Sequence, residues 1–479
     1  AGTRQRRRSK HIPTPRLYPC FGDLLSFDMV GHTFFSILSA VLLVSMALAQ
    51  GIERNPLLVR HHDVRDLRAA EQEERHEVLA SRATSKLRFN YGRDKVRGVG
   101  IGGWLVLENF ITPSLYKKTG DNRVIDEWSF ATYTPRNKAV QILQDHYDNF
   151  ITEDDFAEIA SYNLNHVRVP FPYWGIRTWP GEPYIKLNQF DKLKQAAHWA
   201  NKHGLKMIIE LHTVPGGANP YDHGGHTNHT NWLGNDKEEG RWLEILDTLA
   251  AEFAKNEYPA VTGISIVNEP NGDANQIYGQ YKRGYNTVRR HDGDSELVVI
   301  IGDVFQNPAQ SDFWNDKFSV PKYQQVMIDT HVYRLFDPPS IAMSQDERIG
   351  YYCSLKGGFA KANQHLYMLI GEWSPSFTDC APGLNGRFLG HRYDGTFPGS
   401  TRRGSCDGRT GNANQFSDGF KANLKKNFHI QADAYSAGVG WIMWTWKVEN
   451  HSADEWSYRA GVQNGWIPRN PANLEYHCS

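Results

Sequence analysis

Short apolar runs alternate with longer helical patterns from about residue 96 to residue 446 of this chain. The runs are rich in β-branched and aromatic residues and have the length of single strands. The stretches between them carry apolar residues at helical spacing, as in Glu153–Ser161, Phe190–His203, Glu238–Lys255 and Ile277–Arg290. Eight runs show the strand pattern: Val96–Trp104, His166–Pro170, Leu205–His212, Gly263–Glu269, Leu297–Asp303, Val326–Tyr333, His365–Glu372 and Gly438–Trp446.

Eight strands separated by helices predict an α/β fold, a (β/α)8 TIM barrel formed by a single domain over residues 87–479 with loop insertions. The alternative is an open, doubly wound parallel sheet. The open sheet is disfavoured because no Gly-rich phosphate loop follows a strand and opens a helix.

Most of the predicted strands end in polar or aromatic residues. In a barrel of parallel strands these ends converge on one face, where active sites are built. We therefore expect one site to include the strand-end residues Arg168, Glu210, His212, Asn268, Glu269, Asp303, His331, Tyr333, Glu372, Trp444 and Trp446.

Two glutamates of this set match the needs of glycoside hydrolysis. One carboxylic acid protonates the leaving oxygen, and a second carboxylate attacks the anomeric carbon or activates water. Glu269 ends the fourth run and Glu372 ends the seventh. We predict a carboxyl separation of about 5–5.5 Å and a retaining reaction with Glu372 as the nucleophile. We also expect the apolar surroundings and Glu372 to raise the pKa of Glu269.

The neighbouring residues have matching roles. Asn268 is placed to bond a sugar 2-hydroxyl, His331 and Tyr333 to orient the nucleophile, and Arg168 to pair with Glu372. Each of these residue types is also common as a buried structural hydrogen-bonder. The ordered set of strand ends therefore favours an active site more strongly than any single member does.

Three histidines, His223, His226 and His229, recur at spacings of three in a Gly-rich stretch. A metal site needs a framework that aligns its ligands, and no helix is predicted here. We predict a polar loop at the rim of the barrel, with neither a metal ion nor a cofactor. Neither an HExxH motif nor a Gly-x-Ser-x-Gly motif occurs in the chain, which disfavours zinc-protease and serine-hydrolase chemistry.

Lys and Arg total 53, as do Asp and Glu. This balance argues against nucleic acid as a partner. The 14 Trp, 22 Tyr and 23 Phe suit either an aromatic core or a sugar-binding cleft. Cys20 lies in a stretch that we expect to be removed, and the other cysteines predict two disulfides with three possible pairings: Cys353, Cys380, Cys406 and Cys478.

The N-terminal part has the pattern of a secreted protein. Residues 34–49 are almost continuously apolar and are followed by Gln50, as in a signal peptide with a cleavage site. We predict an extension and signal peptide over residues 1–49, and a propeptide or spacer over residues 50–86. The alternative is a membrane anchor formed by residues 34–49. Asn228 begins a glycosylation sequon in the His-rich loop, and Asn450 begins another.

Several ordered motifs resemble those of the fungal exo-β-1,3-glucanases of glycoside hydrolase family 5. The similarity runs from about residue 90 to the C-terminus. It is carried by the segments Arg97–Glu108, Ile111–Leu115, Val167–Pro170, Ile266–Pro270, Gly371–Ser374, Thr378–Cys380, Trp444–Lys447 and Glu455–Tyr458.

This resemblance implies a retaining hydrolase with Glu269 as acid/base and Glu372 as nucleophile. It further implies that Glu108 binds the terminal glucose and that Phe336 stands at an aromatic entrance. The pairing implied for the cysteines is Cys353–Cys478 and Cys380–Cys406. The other residues implied around the glucose pocket are His212, Asn268, His331, Tyr333 and Trp446, and the strand-end reasoning adds Arg168 to the substrate-binding set.

The chain departs from the family pattern in two loops. It has Glu108-Asn109-Phe110 where those enzymes have Glu-Pro-aromatic, and His212–Asn219 differs from the usual His-Gly-Ala-Pro-Gly-Ser-Gln-Asn. We expect a secreted, monomeric enzyme that releases glucose from β-1,3-glucan. A β-1,6-glucanase, a β-glucosidase, an endo-acting glucanase and a non-catalytic glucan-binding protein of the cell wall are the alternatives.

Overall fold

The computed structural model describes residues 86–294 and 296–479. The predicted extension and signal peptide (1–49), Cys20 and the predicted spacer up to residue 85 lie outside the described residues, so these assignments and the domain boundary near Leu87 stay predictions. Within the described part of the chain, no helix combines the length and the apolar character needed to cross a membrane.

The described residues contain a closed barrel of parallel strands that pair in chain order, and the last strand pairs with the first. Their bounds are β1 Val96–Gly100, β2 His166–Pro172, β3 Lys206–Thr213, β4 Val261–Ser265, β5 Val298–Gly302, β6 Val326–Val332, β7 Tyr367–Trp373 and β8 Gly440–Met443. The predicted (β/α)8 fold is therefore confirmed.

Helices cover the outside of this barrel. Most of them lie between consecutive strands, and the last one follows β8. Several begin at side chains that accept a backbone N–H of the first turn, such as Asn235, Asp273, Ser344 and Ser417. The helices are α1 Pro113–Thr119, α2 Glu127–Tyr133, α3 Arg136–Asn149, α4 Glu153–Ser161, α5 Gln189–Lys202, α6 Asp236–Phe253, α7 Ala274–Arg289, α8 Pro338–Ala342, α9 Gln345–Ala362, α10 Asp418–Tyr435 and α11 Tyr458–Gln463.

The seam between β1 and β8 requires a residue without a side chain. Gly440 has φ +130°, and a Cβ there would lie 2.0 Å from the carbonyl oxygen of Val96. Only glycine tolerates both the backbone conformation and this close approach. Gly440 also pairs with Leu369 of β7, so it helps to join three strands where the barrel closes.

The segment before β1 closes the lower end of the barrel. Leu87, Phe89 and Tyr91 pack against apolar side chains that fill the interior, and the Tyr91 hydroxyl donates to Thr262 at 2.7 Å. The Arg88 guanidinium donates to carbonyl oxygens at the C-terminal end of α6, where a positive charge is favourable. Because apolar side chains fill this end of the barrel, a functional site is expected at the opposite end.

The four helical stretches expected from the sequence correspond to α4, α5, α6 and α7. Helix α9 had no clear signal, because its apolar residues are spread around the helix instead of lying on one face. In the described stretch from residue 303 to residue 325, β5 connects to β6 without a helix. Trp314 and Phe318 cover the barrel there by packing on Tyr278 of α7.

Two disulfides join the pairs that the resemblance implied. Cys353 of α9 is bonded to Cys478, and Cys380 is bonded to Cys406 in the connection between β7 and α10. The first bond spans 125 residues and attaches the end of the chain to the barrel. Cross-linking so long a segment removes many conformations from the unfolded chain.

We therefore predict that the double variant Cys353→Ser/Cys478→Ser is less stable than the wild type by about 2–5 kcal/mol. Urea unfolding followed by circular dichroism measures this difference. The matched comparison is Cys380→Ser/Cys406→Ser, which opens a segment of only 26 residues and should lower the midpoint less. An unaltered midpoint in the double variant would contradict the prediction.

Candidate active site

Arg168 lies at the centre of the site, at the upper end of the barrel. Its side chain is 1% exposed. One terminal nitrogen, Nη1, donates to Glu372 Oε1 at 2.7 Å, and Nη2 donates to Asn268 Oδ1 at 3.0 Å. Glu210 and Asp329 lie at 3.8 and 3.9 Å from the guanidinium. One cation on β2 thus holds together groups on β3, β6 and β7 and one group just beyond β4.

The surrounding charges keep this buried cation ionised. Burial by itself lowers the pKa of Arg168, but the negative charges of Glu210, Glu372 and Asp329 raise it above its usual value. Burial raises the pKa of Glu210, whereas His212 and Arg168 lower it below its usual value. Glu210 also accepts from His212 Nδ1 at 2.8 Å, which fixes the orientation of the imidazole.

Both oxygens of Glu372 have strong donors. Arg168 holds Oε1, and the Tyr333 hydroxyl donates to Oε2 at 3.0 Å. Glu372 belongs to β7 itself, so its backbone is also held by the sheet. A carboxylate with both oxygens fixed presents a defined face to a ligand.

Glu269 is held in a different way. It follows β4 after the strand has ended, with φ +41°, in the left-handed region that side-chain-bearing residues avoid. Such a conformation costs about 1–3 kcal/mol and often occurs at functional sites. Its Oε1 is 2.6 Å from His331 Nδ1, and its Oε2 is 3.4 Å from His223 Nε2.

The pKa of Glu269 differs from the expectation. Burial raises the pKa, as expected, but the hydrogen bond and charge of His331 and the charges of His223 and His212 lower it to about 2. The expected rise is therefore wrong, because three imidazoles outweigh the apolar surroundings. Burial lowers the pKa of His331, but Glu372, Asp329 and Glu269 raise it well above its usual value.

One oxygen of Glu269 and one oxygen of Glu372 lie within 4.8 Å of each other and of a His331 ring nitrogen. His331 lies between the two carboxyl groups, since its Nδ1 is 2.6 Å from Glu269 and 3.6 Å from Glu372. Such a cluster has the size of a cation site. The guanidinium of Arg168 already neutralises Glu372, however, so a metal ion there would meet a fixed positive charge.

A second cluster of metal-ligand type lies in the connection between β7 and α10. It consists of His391, Asp394 and Cys406. Cys406 is bonded to Cys380, so its sulfur is not a free thiolate ligand. The cluster of Glu269, His331 and Glu372 is thus opposed by the charge of Arg168, and the second cluster lacks a free thiolate.

Glu108 reaches the same pocket from the loop after β1. Its side chain is buried, and its Oε1 has no hydrogen-bond partner among the described residues. Burial raises the pKa of Glu108 well above its usual value, and the charges of Glu372 and Asp222 add to the effect. A buried carboxyl oxygen without a partner suits a ligand hydroxyl.

A small, partly open pocket lies beside Glu269. Its polar wall comes from the upper ends of β4, β5 and β6. The lining residues are Ser265, Val267, Asn268, Glu269, Gly302, Asp303, Val304, Phe305, Asp329 and His331.

The tryptophan assigned to the pocket must be corrected from Trp446 to Trp444. Trp446 is fully buried outside the barrel, and its indole nitrogen donates to Asp155 of α4 at 2.9 Å. Trp444 instead lies parallel to the His212 ring, with centroids 6.2 Å apart and an interplanar angle of 6°. A Cβ at Gly100 would come within 2.5 Å of this indole, so glycine makes room for it.

The remaining predicted residues have distinct positions. Phe336 is 36% exposed and packs edge-on against Tyr333 with centroids 5.6 Å apart, so it borders the site. Asn228 lies in an exposed turn, and its glycosylation stays a prediction. The three histidines separate: His223 faces Glu269, whereas His226 stacks on Trp128 at 4.2 Å. The spacing of the histidines gave no signal that one of them enters the site.

Comparisons with known proteins agree with this geometry. Residues 132–379 match the family described as Cellulase (glycosyl hydrolase family 5). A glucan 1,3-beta-glucosidase of Yarrowia lipolytica is 37% identical over 400 residues, which cover 81% of this chain and 92% of that protein. A probable glucan 1,3-beta-glucosidase A of Aspergillus niger is 37% identical over 403 residues, which cover 82% and 92%.

Among solved structures, the rutinosidase of Aspergillus niger superposes with a TM-score of 0.62 at 18% identity, covering 79% of this chain and 99% of that chain. This likeness shows the fold. The protein is a glycoside hydrolase, as shown by its barrel, its pair of carboxyl groups and its sequence matches together. The chain belongs to glycosyl hydrolase family 5, and the resemblance seen in its motifs is confirmed.

We predict that the imidazole of His331 titrates well above pH 6.5 in the ligand-free protein. Because its folded pKa is raised, the stability that it contributes is present in full below pH 6.5 and is lost as pH rises through the folded pKa. NMR of histidine-labelled protein measures the midpoint. In Glu269→Gln the midpoint should fall, since one anionic partner is gone. A wild-type midpoint at or below 6.5 would contradict the prediction.

Proposed function

We propose that this protein is an exo-acting hydrolase that releases glucose from β-1,3-glucan with retention of configuration, using Glu372 as nucleophile and Glu269 as acid/base. One observation carries the proposal: oxygens of the two carboxyl groups lie within 4.8 Å of each other. Retaining enzymes hold their carboxyl groups about 5–5.5 Å apart, and inverting enzymes need about 6.5–9.5 Å for a water molecule.

In the first step, a Glu372 oxygen forms a bond to the anomeric carbon while the bond from that carbon to the leaving oxygen breaks. The proton on Glu269 Oε2 passes to the leaving oxygen. Arg168 and Tyr333 hold the nucleophile in position for the attack. The product of the step is a glucosyl ester of Glu372.

The imidazoles around Glu269 lower its pKa and so favour the carboxylate in the ligand-free site. A bound sugar covers the carboxyl group and removes water from it, which raises the pKa and favours the acid form. His331 then donates from Nδ1 to Oε1, so the acid proton resides on Oε2. In the second step Glu269 takes a proton from water, which attacks the ester and releases glucose.

Glu108 and Trp444 suit the terminal glucose. The buried oxygen of Glu108 accepts from a sugar hydroxyl, and the indole of Trp444 covers an apolar face of the ring. Asn268 is held by Arg168 near the 2-hydroxyl position. His212 completes the pocket beside Trp444.

Contacts between two loops support exo action. The connection between β7 and α10 carries Arg387, which donates to the carbonyl oxygens of Asp121 and Val124. Gly383 of the same connection packs directly on the side chain of Asn109. These contacts join the connection after β7 to Asn109 in the loop after β1, next to Glu108, and to the turn between α1 and α2. A cleft closed at this end accepts the terminus of a chain.

The linkage is proposed from the relatives, whose names specify glucan 1,3-beta-glucosidases. Our proposal extends to secretion, because two disulfides are typical of proteins from oxidising compartments. The monomeric state stays a prediction. The segment His212–Asn219 differs from the pattern of the resembled enzymes, so β-1,6-glucan is the competing substrate.

Product analysis tests the proposal. Laminarin, pustulan and an aryl β-glucoside are incubated with the protein, and ¹H NMR follows the first product. We expect β-glucose from laminarin as the first product. Early α-glucose would overturn retention, longer oligosaccharides would overturn exo action, and activity on pustulan alone would favour the β-1,6 linkage. Glu372→Gln is the control that should bind laminarin without hydrolysing it, whereas binding without turnover by the wild type would indicate a glucan-binding protein.

We predict that Trp444→Ala lowers kcat/KM for laminarin by about tenfold or more, since losing the contact with one sugar face costs about 1.5–3 kcal/mol. Trp446→Phe is the matched control. It should keep kcat/KM within about twofold and lower the free energy of unfolding by about 1–3 kcal/mol, because it removes the bond to Asp155 and leaves a small cavity at a fully buried position. A large loss of kcat/KM in Trp446→Phe with little loss in Trp444→Ala would indicate that Trp446, and not Trp444, lines the pocket.

A further inference from the structure

His223 contacts the oxygen of Glu269 that His331 does not hold. It lies on the one-turn helix Asp222–Gly224, in the long segment after β3. Its Nε2 is 3.4 Å from Oε2 of Glu269, whereas Oε1 faces His331 at 2.6 Å. The side chain of His223 is 23% exposed and that of His331 is 12% exposed. His223 is therefore on the solvent side of the acid/base, and His331 on the side of Glu372.

We propose that His223 is a positioning residue that holds Oε2 of Glu269 toward the leaving group and borders the subsite for that group. This inference rests on the proposed function. It places the leaving sugar on the side of the site where His223 faces Oε2 of Glu269. Because His331 already holds Oε1, the proton that reaches the glycosidic oxygen must come from Oε2. The group beside Oε2 then sets the direction of that transfer.

The fixed surroundings of His223 suit this role. Its ring stacks on Tyr221, with centroids 5.3 Å apart, and contacts the ring of His212 at 5.1 Å. Its backbone N–H donates to Asp222 Oδ1 at 3.0 Å. Its Nδ1 is buried and has no hydrogen-bond partner within the described chain. The ring of His223 is held on both sides, and its Nε2 contacts Glu269. Its Nδ1 is therefore left to bond a sugar hydroxyl.

The charge of His223 opposes protonation of Glu269. Burial lowers the pKa of His223, which favours the neutral imidazole. When His223 gains a proton, its charge stabilises the Glu269 carboxylate and disfavours the acid form. The titratable groups that face His223 are Glu269 beyond β4, Glu372 on β7, Glu210 and His212 on β3, and Asp222 in its own turn.

Two variants separate the role in orientation from the role in charge. His223→Ala removes both the ring nitrogen and its charge. His223→Asn keeps a polar side chain near Oε2 and does not titrate. The matched control is His229→Gln, which changes a histidine of the same segment whose ring stacks on His226.

The substrates are laminaribiose, whose sugar leaving group needs a proton, and 2,4-dinitrophenyl β-glucoside, whose leaving group needs none. We expect His223→Ala to lower kcat/KM about tenfold for laminaribiose, a part of the contribution of a general acid, and less than about twofold for the aryl glucoside. His223→Asn should recover part of the loss. Equal losses on both substrates, or no loss on either, would overturn the inference.

An independent readout needs no turnover. ¹³C NMR of glutamate-labelled protein follows the carboxyl group of Glu269 without substrate. Its pKa should rise in both His223 variants, because the contact of His223 Nε2 with Oε2, which favours the carboxylate, is gone. The alkaline limb of kcat, which reports the substrate complex, should move to higher pH. An unchanged titration would overturn the inference even if the wild type were inactive on laminaribiose. Inactivity of the wild type on both substrates would instead overturn the proposed function alone.

Discussion

The pairing of the buried Arg168 guanidinium with carboxylates is the interaction on which the site depends. Charges taken out of water are tolerated only when they are paired and hydrogen-bonded. Arg168 meets this condition with Glu372, Asn268 and Glu210, which come from three other strands or strand ends. The arrangement is mutual, because the carboxylates would repel one another without the cation. The position of the nucleophile is therefore a property of the closed barrel, and no single strand creates it.

The two carboxyl groups of the proposed reaction have partners of different kinds. Glu372 is held by a guanidinium, which does not lose its proton in proteins, and by a tyrosine hydroxyl. Glu269 is held between imidazoles, which, unlike a guanidinium, can exist with or without their proton. A nucleophile must remain available for attack, whereas an acid/base must gain and lose a proton in each cycle. The different partners thus suit the two carboxyl groups to different roles. His331, which lies between the two carboxyl groups, contacts both of them.

The periodic parts of the chain were predictable. Alternation of strand and helix patterns identified all eight strands, and the polar strand ends identified most of the site. The sequence-based predictions were wrong at positions where the hydrophobic periodicity of a strand ends. The predicted eighth strand reached Trp446, but the strand stops at Met443 and the chain then turns, so Trp444 enters the pocket and Trp446 packs outside. His223 lies in a loop without periodicity, and nothing in its spacing distinguished it from its two neighbouring histidines.

The sequence by itself determined the barrel, its order of strands, and the pair of glutamates at the ends of the fourth and seventh strands. These follow from hydrophobic periodicity, which is local and can be read along the chain. Only the tertiary structure decided which tryptophan enters the pocket, which imidazoles contact Glu269, and that their charges lower its pKa. Those properties depend on groups that are far apart in sequence but lie within 2.6 to 3.4 Å of each other after folding. Electrostatic interactions depend on the distance through space and not on the distance along the chain.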